Sequence, residues 1–188
     1  MQEFVTDAVV LNSNKYLNGD RGVDLFTRDN GRIQARVKSG FKTISKLSPH
    51  LNVMNLVTVR LVKKTNFKVT DVLLKDRFAG KRDNLEQFSE ALDLIFLMRT
   101  LVPPMLPDKE LWRLFITSLR EPAFNRKMFL RVLGYDPEFA SCHFCNGGIK
   151  FFFAPDQFFI CQKCFDGVEN KNSFVNIFPS SQTPKNEK

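Results

Sequence analysis

Every cysteine of this chain lies in one stretch, CHFCNGGIKFFFAPDQFFICQKC, as two pairs: Cys142-x2-Cys145 and, fifteen residues on, Cys161-x2-Cys164. No other feature restricts the fold so strongly. Two CxxC pairs at this separation have the ligand spacing of a four-thiolate zinc site, in which each pair sits on a tight knuckle and the intervening loop returns the second pair to the first. Asn146, Gly147 and Gly148 supply the first turn, and FFFAPDQFFI reads as two short strands around Pro155-Asp156-Gln157. So few residues need a metal crosslink to fold. Four sulfurs fill a tetrahedral site and leave no position for water, so the expected zinc is structural and not catalytic. A redox CxxC or free core thiols would account for one pair but not for both. An iron–sulfur cluster is the other metal that four thiolates accept, and the colour of the protein separates the two. His143, between ligands, is expected at the surface.

The amino end, MQEFVTDAVV, lacks a basic segment followed by an apolar one, and the longest apolar run, LDLIFLM, is cut by Arg99 and Pro103-Pro104. The expectation is a soluble cytoplasmic chain with no membrane partner, a reducing setting in which thiols favour metal over disulfides.

Charge is distributed unevenly. Residues 1–80 hold 14 Lys and Arg against 7 Asp and Glu, whereas residues 81–141 hold 9 against 9, so the first segment carries nearly all of the net +8. From Asn30 to Thr70 there is no acid at all. A solvated face would ordinarily mix signs.

The same segment is patterned as β. FVTDAVVLN, GVDLFTR, GRIQARVK, LVTVRLVKK and FKVTDVLLKD are five runs rich in β-branched and aromatic residues, which predicts a small closed barrel. In the third run, period 2 sends Ile33, Ala35 and Val37 to one face and Arg32, Gln34, Arg36 and Lys38 to the other. KSGFKTISKLSPHLN then reads as a loop with one short helix, the long connection of an oligonucleotide-binding (OB) barrel, and it adds Lys42 and Lys46 to the positive surface. Such a surface fits a polyanion, since neutralised phosphates release counterions without any sequence code. Phe41 and Phe67 are candidate stacking residues, with core packing the simpler alternative.

Beyond residue 80 the pattern turns helical. Asn84 with Gln87 three residues on forms a cap, and Leu85, Phe88, Leu92, Ile95 and Phe96 recur at helical spacing until Pro103. Leu111, Leu114, Phe115 and Leu119 mark a second helix, and a third runs from about Asn125 to Leu133 before Gly134. There is no GxxxxGK, GxGxxG, HExxH or GxSxG, and the basic segment lacks the carboxylates a two-metal nuclease would need. No catalytic residue is assigned and no small-molecule substrate is expected.

Three stretches, DLFTRDNGRIQARVKSGFKTISK, FLRVLGYDPEFASCHFC and FFFAPDQFFICQKC, occur in the order and rough spacing of the RecO family of bacterial recombination mediators. The chain resembles that family from its amino end to about Cys164. Leu25 to Arg28, Gly31, Lys38, Gly40, Lys42, Ser45 and Lys46 carry the first likeness; Leu133, Gly134, Tyr135 and Pro137 the second; Phe153 and Pro155 the third. The resemblance implies an amino-terminal OB domain, a helical domain and a zinc-binding insertion. It further implies nucleoid-associated binding of single- and double-stranded DNA, strand annealing, and, with RecR, the loading of RecA onto DNA coated by single-strand-binding protein. No chemistry is catalysed.

The expected architecture is therefore α+β and multidomain. A five-stranded OB-fold β-barrel spans 1–80, a helical domain spans 81–178 with a four-cysteine zinc ribbon at 142–164, and a polar, disordered tail spans 179–188. The expected DNA contacts are Arg32, Arg36, Lys38, Lys42 and Lys46, and the metal ligands Cys142, Cys145, Cys161 and Cys164. A zinc-ribbon RNA-binding or ribosome-associated protein would share both charge and cysteines, and a scaffold for an acidic protein would share the charge.

Overall fold

The computed structural model describes residues 2–16, 19–38, 40 and 47–178. The chain forms two compact units, Met1–Phe124 and Asn125–Lys188.

In the first unit the five β-patterned runs are the strands β1 (Gln2–Lys15), β2 (Arg21–Thr27), β3 (Gly31–Val37), β4 (Leu56–Lys63) and β5 (Phe67–Asp76). They close into a barrel in the order β1-β2-β3-β5-β4. β1 is long enough to serve two neighbours, its first half pairing with β4 and its second with β2, and a break in register between Val10 and Asn12 lets it bend. β3 alternates as its sequence predicts: Ile33, Ala35 and Val37 are buried, Gln34, Arg36 and Lys38 exposed. Val10, Leu25, Ile33, Val57, Val59 and Leu61 fill the interior. Phe67 joins them and packs on Phe4 at 6.1 Å, so it is core and not a stacking platform; Phe41 lies outside the described residues. Of the loop before β4, Ser48–His50 form one 3-10 turn.

The helices of this unit are α1 (Ala79–Arg82), α2 (Leu85–Leu101) and α3 (Lys109–Arg120). The Asn84 side chain accepts from the Gln87 N–H at 3.0 Å, as the cap pattern predicts, and Asp108 accepts from Glu110 and Leu111 at 2.9 Å. The expected inward face of α2 needs correction. Leu85 is 84% exposed and Leu92 40%, whereas Ala91, Leu94, Leu97 and Met98 are buried beside Ile95. Apolar residues are spread around this helix, so spacing alone does not select a face.

α3 covers the outside of β2. Phe26 meets Trp112 and Phe115, each at 5.7 Å between ring centres, and β2 is buried at every position. The α2–α3 connection in turn covers the start of β3. The Met105 N–H donates to the Arg32 carbonyl at 2.9 Å, and Arg32 bridges to Pro104. Gly31, at φ +68°, has the Leu106 carbonyl where a Cβ would stand, 2.3 Å away.

The second unit begins with α4 (Arg126–Val132), capped by Asn125 accepting from Met128 at 3.0 Å and followed by Gly134 at φ +92°. The hairpin β6 (Phe151–Phe153) and β7 (Phe158–Ile160) is present, with Gln157 of its turn at φ +60°. Helix α5 (Gln162–Asp166) follows, and β8 (Phe174–Asn176) then pairs on the far side of β6 to give a sheet ordered β7-β6-β8. The predicted polar tail, 179–188, lies outside the described residues.

Candidate metal centre and nucleic-acid interface

Two knuckles and one hairpin build the cysteine cluster. In the first knuckle the Cys142 N–H donates to the Gly147 carbonyl at 2.9 Å and Asn146 N–H to the Cys142 carbonyl at 2.8 Å, with Asn146 left-handed at φ +57°. In the second, Cys161 caps α5, its sulfur accepting the Cys164 N–H at 3.3 Å. The hairpin clamps the knuckles together: His143 donates to the Phe159 carbonyl and Lys150 to that of Ile160, both at 2.9 Å. His143 itself is exposed, its ring stacked on Phe158 at 4.9 Å.

The four sulfurs lie within 4.8 Å of one another, Cys145 and Cys161 at 3.6 Å. Tetrahedral zinc with bonds of about 2.3 Å would separate its sulfurs by about 3.8 Å, so the donor set and its spacing fit one ion. Phe151 stacked on Phe165 at 3.8 Å walls the site, and Cys142 is fully buried. Burial pushes the Cys142 thiol up, but backbone hydrogen bonds from Cys161, Phe144 and Cys145 outweigh it and bring it down to about 6. Cys164, its thiol hydrogen-bonded to those of Cys161 and Cys145 among the crowded sulfurs, is pushed up to about 12. Four such sulfurs carry four negative charges together only around a cation.

On the barrel, Arg36 donates to Asp20 through Nε and Nη2. Arg32 turns away from the ladder, donating from Nη1 to the Arg99 carbonyl, 4.0 Å from Asp24. Lys38 reaches a concavity of about 400 Å³ that it lines with Asp20, Arg36, Lys68, Val69 and Thr70. Among the described residues neither Lys38 nor Lys68 has an ion-pair partner. Lys42 and Lys46 lie outside the described residues.

The family described as "Recombination protein O N terminal" matches residues 1–73. The chain is 27% identical over 192 residues to "DNA repair protein RecO" of Thermodesulfovibrio yellowstonii, covering 95% of this chain and 76% of that one. It is 28% identical over 177 residues to the protein of that name from Dehalococcoides mccartyi, covering 86% and 70%. The protein of that name from Desulfitobacterium hafniense is 27% identical over 178 residues, covering 87% and 65%. Residues 1–73 thus match the amino-terminal RecO family, and most of the chain is similar to proteins named DNA repair protein RecO.

In this RecO-like chain the structure brings Arg36 and Lys38 together and directs Arg32 elsewhere. Reasoning from sequence missed Lys68 and Thr70 as groove residues. They arrive because β3 and β5 run parallel through Ala35–Phe67 and Arg36–Lys68. The signal available was Lys68's place in the acid-free run; the pairing itself is non-local. Among the described residues, no helix is long and apolar enough to cross a membrane.

Proposed function

We propose that the chain acts in DNA repair and recombination as a non-catalytic DNA-binding mediator, with a barrel of residues 1–80 as its DNA surface and a helical region, 81–178, that carries the metal clasp. The observation that carries this reading is the groove where Arg36, Lys38 and Lys68 meet with Asp20 as the only lining acid among the described residues, itself engaged with Arg36. Phosphates fit such a groove because each cation that neutralises one releases a counterion. The strand order β1-β2-β3-β5-β4 supports an OB-fold, whose grooves suit single strands. Arg36, Lys38, Lys42 and Lys46 contact phosphates; Arg32 contributes less, being engaged with the Arg99 carbonyl. Zinc, held by Cys142, Cys145, Cys161 and Cys164, folds the clasp and takes no part in chemistry. Partnership with RecR, loading of RecA onto strands coated by single-strand-binding protein, and annealing follow from the family resemblance.

Binding of a labelled single strand, its duplex and the matching RNA across a salt series tests this. A neutraliser of about four to six phosphates gives a log–log slope of about −3 to −4 on single-stranded DNA, and Arg36→Ala/Lys38→Ala flattens it by about 1.4. Binding of RNA alone would favour the zinc-ribbon RNA-binding reading; no nucleic-acid binding would turn attention to an acidic protein.

A further inference from the structure

We propose a second phosphate-binding pocket for a nucleic-acid strand at the hairpin end of β2 and β3, rimmed by Arg28, Lys109 and Arg113 and floored by Trp112. It rests on the DNA-binding reading and extends it to a surface that the basic ladder does not include. A cavity of about 360 Å³ is lined by these four residues and Asp29. The acid is already used: its Oδ2 accepts the Thr6 hydroxyl at 2.7 Å, and its Oδ1 the Arg28 Nε at 3.3 Å. Lys109 and Arg113 stand one turn apart on α3, exposed, and among the described residues neither has an ion-pair partner. Like charges at this spacing repel each other, and an anion between them removes the repulsion. Both project from the first turns of α3, whose dipole adds to the positive potential.

The floor narrows the chemistry. Trp112 is only 8% exposed and is fixed against Phe26 at 5.7 Å, so the pocket offers a rigid apolar base under a cationic rim. A sugar or base on the floor with its phosphate at the rim satisfies both. The location argues for a strand over an isolated anion. Arg28 follows β2 directly, while Lys38 follows β3 at the opposite end of the same hairpin. Seven strand residues at about 3.3 Å each put the two ends about 20 Å apart, a span of about six nucleotide rises of roughly 3.4 Å. One strand can reach both.

Trp112 is the only tryptophan, so its fluorescence reports on this pocket alone. The full chain is titrated with a 20-nucleotide oligo-dT across a salt series, and in parallel with an acidic peptide ending in an apolar residue. Oligo-dT is expected to change Trp112 emission. Lys109→Ala/Arg113→Ala abolishes the change and flattens the log–log slope by about 1.4, two phosphates at roughly 0.7 each. Arg36→Ala/Lys38→Ala flattens the slope and keeps the emission change. Both substituted α3 residues are exposed, and an unchanged melting curve verifies that the variant is folded. A silent Trp112, a double α3 variant with the wild-type slope, or a response to the peptide and not to oligo-dT overturns the pocket. If the barrel variant alone flattens the slope, only this inference falls; if the wild-type chain binds no oligo-dT, the DNA-binding reading falls with it.

Discussion

The Asp24 carboxylate stands 4.0 Å from the Arg32 guanidinium, within reach of its charge but too far for a hydrogen bond, and the Asp24 Oδ1 is buried with no hydrogen-bond partner among the described residues. Burial pushes the Asp24 carboxyl above its ordinary range, and the charges of Arg32 and Arg99 oppose this only in part. The folded state therefore holds this proton more tightly than the unfolded chain does. Its stabilising contribution is complete below the unfolded carboxylate value of about 3.9 and is lost as pH rises through the folded value. Asp24→Asn removes that loss. The variant is expected to melt about 2–4 °C higher than wild type at pH 7, equivalent to about 1 kcal/mol in a chain of this size, with the difference shrinking towards pH 4. Thermal melts from pH 4 to 7 check this; a less stable variant at pH 7 would refute it.

Arg21, 5% exposed, ties β2 to the end of the β3–β4 loop: Nη1 donates to the Ser48 carbonyl at 2.8 Å and hydroxyl at 3.0 Å, Nη2 to the Leu51 carbonyl and Nε to the Ser13 hydroxyl. Arg21→Ala leaves these acceptors without their donor and should cost about 2–4 kcal/mol of unfolding free energy, measured in urea. Arg21→Lys restores only part of it, because an ammonium cannot span acceptors that a planar fork reaches together.

Metal uptake should release protons and be lost in acid. With Cys142 brought down to about 6 and Cys164 pushed up to about 12, the cluster enters binding at pH 7 partly protonated, so fewer than four protons leave per ion. An indicator dye in weak buffer counts them. Below about pH 6 the affinity should fall steeply, and Cys161→Ser should lose the metal and the melting transition of the second unit while the barrel keeps its own. Full metal content in that variant would rule out a four-thiolate site.

Much of this was legible in the sequence where the determinant is local. The CxxC spacing picked out the four cysteines that the fold gathers into one cluster, the alternation of Ile33, Ala35 and Val37 identified the inner face of β3, and Asn84 with Gln87 marked the start of α2. What escaped depends on partners distant along the chain. β2 shows no alternation because α3 buries its outer face through Phe26. β8 consists of three residues whose pairing with β6 no turn signal announces. The Asp20–Arg36 pair joins residues 16 apart on neighbouring segments, and Lys68 reaches Lys38 only through the parallel pairing of β3 with β5.

That parallel contact is short, and it bears on how the chain is made. β5 covers β3 at two positions, and the start of β3 is covered by Pro104 and Met105, more than seventy residues later in the chain. Until that connection emerges from the ribosome, β3 offers open backbone donors and acceptors to any other strand nearby. The exposed start of β3 is thus covered only after α2 has been synthesised, and a fragment cut at residue 80 would carry a partly bare strand edge prone to pairing with its copies.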